Sequence, residues 1–146
     1  MTGLLTVLVV LPLAGLVALA LIDGRHESLI RTTALTVSAL VFAVTLLVWW
    51  KFNPSSDAFQ FTERHAWIPA FGIDYSVGID GISLFLVVLT GFLTPLALLS
   101  SWDSVHDRVK AFSMCILALE SAMIGVFVSL DMFLFYIFWD AMLIPM

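Results

Sequence analysis

Two acids stand where acids are costly: Glu120 and Asp140 each lie deep within an otherwise apolar run. A carboxylate at the centre of a bilayer costs at least about 2.5 kcal/mol on insertion scales, so such residues face protein or water and are candidates for function. Without a partner in hydrocarbon, a carboxyl favours its neutral form, and a nearby Lys or Arg restores the charge. None of the six basic residues lies deep in an apolar run, so a charge partner must come from another chain segment or another subunit. A carboxyl whose proton is controlled by a movable neighbour is the chemistry of a proton relay. The plainer alternative is an acid that stays protonated and hydrogen-bonds across helices.

Positioning such acids is a task for membrane-length helices. The 146 residues are 62% hydrophobic and only 12% charged, with a mean hydropathy of +1.10. An ordinary soluble domain is about half apolar and about a quarter charged, so no single globular core could absorb this surface. A bilayer-crossing helix needs about 20 apolar residues, and such runs occupy 2–22, 29–50, 81–101 and 111–129. A fifth begins at Met132 and is still apolar at Met146, covering only about two thirds of a bilayer. The expectation is an all-α membrane bundle forming a single domain, with four complete helices and a truncated fifth, and a natural chain that continues. Ala18-Leu19-Ala20 resembles a leader cleavage site, but the N-terminus has no basic region and the run exceeds a usual leader core, so a retained first helix is expected.

The connection 51–80 is too long for a turn. Phe59 and Phe61, then Ile73, Tyr75 and Val77, alternate with polar or small residues on either side of Pro69-Ala70-Phe71-Gly72. This pattern predicts a short β-hairpin, with an irregular amphipathic loop as the alternative. With the N-terminus outside, the inner segments and helix ends collect Arg25, Arg31, Arg108 and Lys110, against Lys51 and Arg64 outside, which is the orientation that positive charge favours. Trp49, Trp50, Trp67 and Tyr75 suit the membrane interface. Asp80 and Asp131 precede helices three and five, where a carboxylate accepts first-turn N–H bonds and suits the helix dipole. Pro12 and Pro95 fall inside helices, where neighbouring segments can satisfy the freed carbonyls.

Other chemistries find no support. Cys115 is the only cysteine, which removes disulfide and iron–sulfur frameworks, and His26, His65 and His106 lie in connections, away from any haem site within the bilayer. No glycine-rich phosphate loop occurs. Neither a cofactor nor direct NADH binding is expected. The net charge of −5 carries no nucleic-acid message, because nine of the eleven acids lie in loops or at helix ends and are expected to be solvated.

Helix phase refines the two acids. Both lie ten residues from a turn at Leu130, hence at similar depth, about 15 Å from the outer surface. Yet Ala118, Ala122, Gly125 and Ser129 form a small-residue stripe suited to close helix approach, and Glu120 points away from it. If the fifth helix packs on that stripe, Glu120 and Asp140 do not pair.

A family resemblance rests on Trp67-Ile68-Pro69, on 75–83 (Tyr75 to Ser83), on Gly125-Val126-Phe127 and above all on 131–146, ending Leu143-Ile144-Pro145-Met146. These segments strongly resemble subunit M of the proton-pumping NADH:quinone oxidoreductases (respiratory complex I), an antiporter-like, proton-translocating family. The likeness covers the whole chain and is strongest from about Trp67 onward. It implies roughly fourteen helices arranged around two inverted repeats, of which this chain holds about the first third. It also implies a non-redox subunit of a translocating enzyme in the cell (inner) membrane, with other membrane subunits, lipid and protons as partners and redox cofactors held elsewhere. In the family the position of Asp140 is a Glu that pairs with a lysine on a later helix; Asp keeps the charge but is one methylene shorter. The resemblance therefore makes Asp140 the leading proton-transfer residue and Glu120 the second, and implies that residues 1–146 alone do not pump. Rival readings are a subunit of a multisubunit cation/proton antiporter or membrane-bound hydrogenase, and a non-transporting membrane scaffold.

Overall fold

A computed structural model of the chain describes residues 3–55, 58–104 and 107–144. The helix start expected at Thr2, and Asp57, His106 and Pro145-Met146, for which the sequence also carries expectations, lie outside the described residues.

Among those described, the elements run α1 (Leu4–Leu21), α2 (Glu27–Lys51), β1 (Gln60–Ile68), a 3-10 turn (Pro69–Phe71), β2 (Ile73–Ile79), α3 (Gly81–Ser100), α4 (Val109–Val128) and α5 (Met132–Leu143). The first four helices are long and apolar enough to cross a membrane. At about 1.5 Å per residue, the twelve described residues of α5 extend about 18 Å.

Each long helix turns one stripe inward. On α2 this stripe is Ile30, Ala34, Ser38, Val41, Thr45 and Val48, the three-to-four-residue step of a single helical face. Half of the membrane-length window of α4 is buried, against about a third for the others. It is the central helix, packed against α1, α2, α3 and α5.

The core has two apolar halves. The one nearer the hairpin gathers Leu5, Leu8, Val41, Val87, Ile124 and Val128, and the other gathers Leu19, Ile30, Ala34, Leu98 and Leu117. Between them in chain order, on three helices, lie the buried polar residues Ser38, Thr90, Thr94, Glu120 and Ser121. Helix geometry thus assembles a polar layer near mid-depth from residues that are far apart in sequence.

The connection between α2 and α3 contains the expected antiparallel hairpin, pairing Glu63 with Val77 and His65 with Tyr75. Pro69 opens the 3-10 turn, and Gly72 closes it at φ 66°, a left-handed conformation that costs a residue without Cβ least. The hairpin is sewn to the bundle. Val77 and Ile79 are fully buried, Leu130 N–H donates to Ser76 O at 2.9 Å, and Trp67 meets Phe133 edge-on at 6.1 Å.

Candidate functional site

Glu120 is the twelfth of the 20 residues of α4, 1% exposed, and neither carboxyl oxygen has a hydrogen-bond partner among the described residues. It looks across a cleft between α3 and α4 at Thr90 and Thr94. Both threonine hydroxyls donate backwards to their own helix, Thr90 to Leu86 O and Thr94 to Thr90 O, each at 2.9 Å. With these bonds made, the hydroxyl lone pairs are what the two threonines offer to the cleft. Ser121, the next residue, uses its hydroxyl differently: it donates to Val9 O on α1 at 2.6 Å. That carbonyl neighbours the one that Pro12 leaves without its N–H, so α4 supplies polar support where α1 is interrupted.

Asp140 lies on α5 and is exposed. The reason is helix phase. Phe138 fills the surface of Gly125, where an added Cβ would overlap the ring, so α5 does pack on the small-residue stripe. Asp140 follows Phe138 by two residues, about 200° round the helix, and points away from α4. Glu120 lies five residues from Gly125, about 140° round α4, and faces α3. The structure therefore does not bring the two acids together.

Both expected helix caps form. Asp80 Oδ1 accepts from Ser83 N–H at 2.8 Å, and this bond holds the Asp80 carboxyl below the usual carboxylate range. Asp131 Oδ1 accepts from Phe133 N–H at 2.8 Å and Leu134 N–H at 3.3 Å.

One acid departs from expectation. Glu63 was counted among the solvated loop acids, but it is 5% exposed. Its Oε1 accepts from Leu5 N–H at 3.2 Å, and its Oε2 accepts from the Thr6 hydroxyl. Tyr75 OH completes the group, 3.1 Å from Thr6 Oγ1. The cause is an unmet need at α1, whose N-cap is Gly3 with no side chain to bind the first-turn N–H groups. A carboxylate from the hairpin fills that role across 58 residues. Burial raises the Tyr75 hydroxyl above the ordinary tyrosine range, and the Glu63 charge pushes the same way. Within the sequence, the only hint was an acid in the strand facing Tyr75 and Val77.

The far end of the bundle is closed by cations. Lys110 Nζ donates to Ala20 O and Ile22 O at 3.1 and 2.8 Å, meeting the orphan carbonyls of the α1 C-terminus. The Arg31 guanidinium lies 5.9 Å over the ring of Trp102. No group of three or more potential metal ligands occurs among the described residues.

Four helices of membrane length around a shared core make the chain an integral membrane helical bundle. Residues 5–126 match the family described as NADH-ubiquinone oxidoreductase chain 4, amino terminus, and the chain belongs to that family. It is 44% identical over 135 residues to NADH-ubiquinone oxidoreductase chain 4 of Chondrus crispus, covering 92% of this chain and 27% of that protein. Against NADH-quinone oxidoreductase subunit M of Rhodobacter capsulatus it is 44% identical over 150 residues, covering 100% and 29%. The corresponding subunit M of Mycobacterium tuberculosis is 36% identical over 171 residues, covering 97% and 31%. The chain thus spans under a third of the length of the curated relatives it matches.

Proposed function

We propose that the chain is the membrane-embedded amino-terminal part of a proton-translocating subunit in a proton-pumping NADH:quinone oxidoreductase. It forms a single membrane domain in the cell (inner) membrane with its N-terminus outside, and its partners are lipid and other membrane subunits. NADH, flavin, iron–sulfur and quinone chemistry belong to other subunits. Family membership over residues 5–126 carries this reading.

Within that role, Asp140 is the carboxyl that takes up and releases protons, and Glu120 is a second proton-bearing group. The position of Asp140 supports its part. An acid exposed on an apolar helix would be costly against lipid, and exposure leaves it accessible to a basic partner from outside the described residues. Resemblance to the family implies a lysine as that partner.

Asp140→Asn in the assembled full-length complex tests the assignment. Proton pumping falls while assembly persists; unchanged pumping would sink it. Asp140→Glu restores the methylene that the family position carries, and activity equal to or above that of the unsubstituted protein is expected.

A further inference from the structure

We infer that the cleft between α3 and α4 binds water, and that Thr90 and Thr94 hold this water against Glu120 as a proton-exchange port separate from Asp140. The inference rests on reading the chain as part of a proton-translocating subunit and adds a location and two positioning residues.

The cleft has a volume of about 160 Å³. A water molecule's share of liquid volume is about 30 Å³, and a stably bound water needs two to four polar partners. Most of the walls are apolar, built from residues such as Leu93, Ile116 and Leu119, so water has reason to stay only at one place. That place is the stretch of wall formed by Glu120, Thr90 and Thr94.

The hydrogen-bond inventory points the same way. Among the described residues both oxygens of a carboxyl 1% exposed lack a partner, and leaving such a group unsatisfied costs about 1–3 kcal/mol or more. Thr90 and Thr94 donate instead to Leu86 O and Thr90 O of their own helix. They can accept. A water between them donates to Thr94 Oγ1 and either accepts a hydrogen bond from a neutral Glu120 or donates one to its ionised form. Among the described residues no other ionisable side chain lines the cleft, so water is the species that can carry a proton to or from Glu120 by this route. The Ser121 bond to Val9 O ties α4 to α1 beside it, while α5 covers another face of α4 at Gly125 and leaves the cleft open.

Infrared difference spectroscopy of the assembled full-length complex tests this. The expected result is a protonated-carboxyl band that is lost in Glu120→Gln and shifts to lower frequency in D2O. Thr94→Val should change its frequency or slow its exchange, and Thr94→Ser, which keeps the hydroxyl, should restore both. A Glu120 band that does not exchange would show a dry cleft and overturn the inference. Absence of any Glu120-dependent band, or a band indifferent to Thr94→Val, would overturn it equally. Pumping measured on the same preparations keeps the two readings apart: if Asp140→Asn pumps normally the transport assignment fails, whatever the exchange result.

Discussion

Glu63 illustrates how much a single buried carboxylate can decide in a small membrane bundle. It supplies the first turn of α1 with acceptors that Gly3 lacks, and the bond with the Thr6 hydroxyl adds to a charge-assisted set. Charged hydrogen bonds of this kind contribute about 1.5–3 kcal/mol each. Glu63→Ala is therefore expected to destabilise the full-length subunit by about 2 kcal/mol and to loosen the hairpin, with Glu63→Gln milder because one acceptor remains. Thermal unfolding and protease nicking at the 51–80 loop report both effects. Asp80 makes a pH prediction. Its carboxyl is depressed by the Ser83 N–H bond, so its contribution is fully present above the ordinary value of 3.8 and is lost as pH falls through the lower folded value. Stability curves of the wild type and Asp80→Asn should thus keep a constant gap through neutral pH and converge only in strong acid. A gap that changes between pH 6 and 8 would contradict the assignment. The exposed Arg64–Asp74 bridge of 2.7 Å across the hairpin is given little weight, since surface pairs are worth about 0–1 kcal/mol.

At the level of elements, the position of α5 depends on one glycine. Without a Cβ at Gly125, the ring of Phe138 comes down onto the backbone of α4. Gly125→Ala should cost about 1–3 kcal/mol through overpacking, and Phe138→Leu should recover part of the loss in the double variant. A double-mutant cycle on unfolding measures the coupling; strictly additive effects would mean that the two residues do not touch. The same contact rotates Asp140 outward. The hairpin plays a parallel part for the other helices, because β2 reaches α1, α3, α4 and α5, and its strand edge takes up the α4–α5 connection through Val77 and Ser129. It closes the bundle end and ties α1 to the helices that follow.

For the whole molecule, the asymmetry of the two ends is the observation with the most reach. One end carries the hairpin, and the other carries Lys110 on the α1 carbonyls and Arg31 over Trp102. Positive charge near helix ends favours the cytoplasmic side. With Cys115 first replaced by Ala, Ser28→Cys in sealed vesicles of known orientation should react with an aqueous thiol reagent from the cytoplasmic side, and Asn53→Cys from the outer side. The reverse pattern would overturn the proposed topology.

The sequence by itself determined what depends on local pattern. Apolar runs of membrane length, the alternating hairpin, Asp80 and Asp131 ahead of their helices, and the small-residue face of α4 were all legible. Each follows from neighbours within a few positions: transfer of apolar groups out of water, the period of a helix or strand, or the reach of a side chain to its own first turn. Even the separation of Glu120 from Asp140 could be anticipated from phase on one helix. Only the tertiary structure decided what depends on residues brought together from afar. Glu63 read as one more solvated acid because nothing near it in the chain reveals the uncapped end of α1, 58 residues away. Likewise Thr90 and Thr94 looked like ordinary helix threonines until α3 was laid beside α4. Their meaning comes from a neighbouring carboxyl without a hydrogen-bond partner among the described residues, and such a need is created by packing, which no stretch of sequence contains on its own.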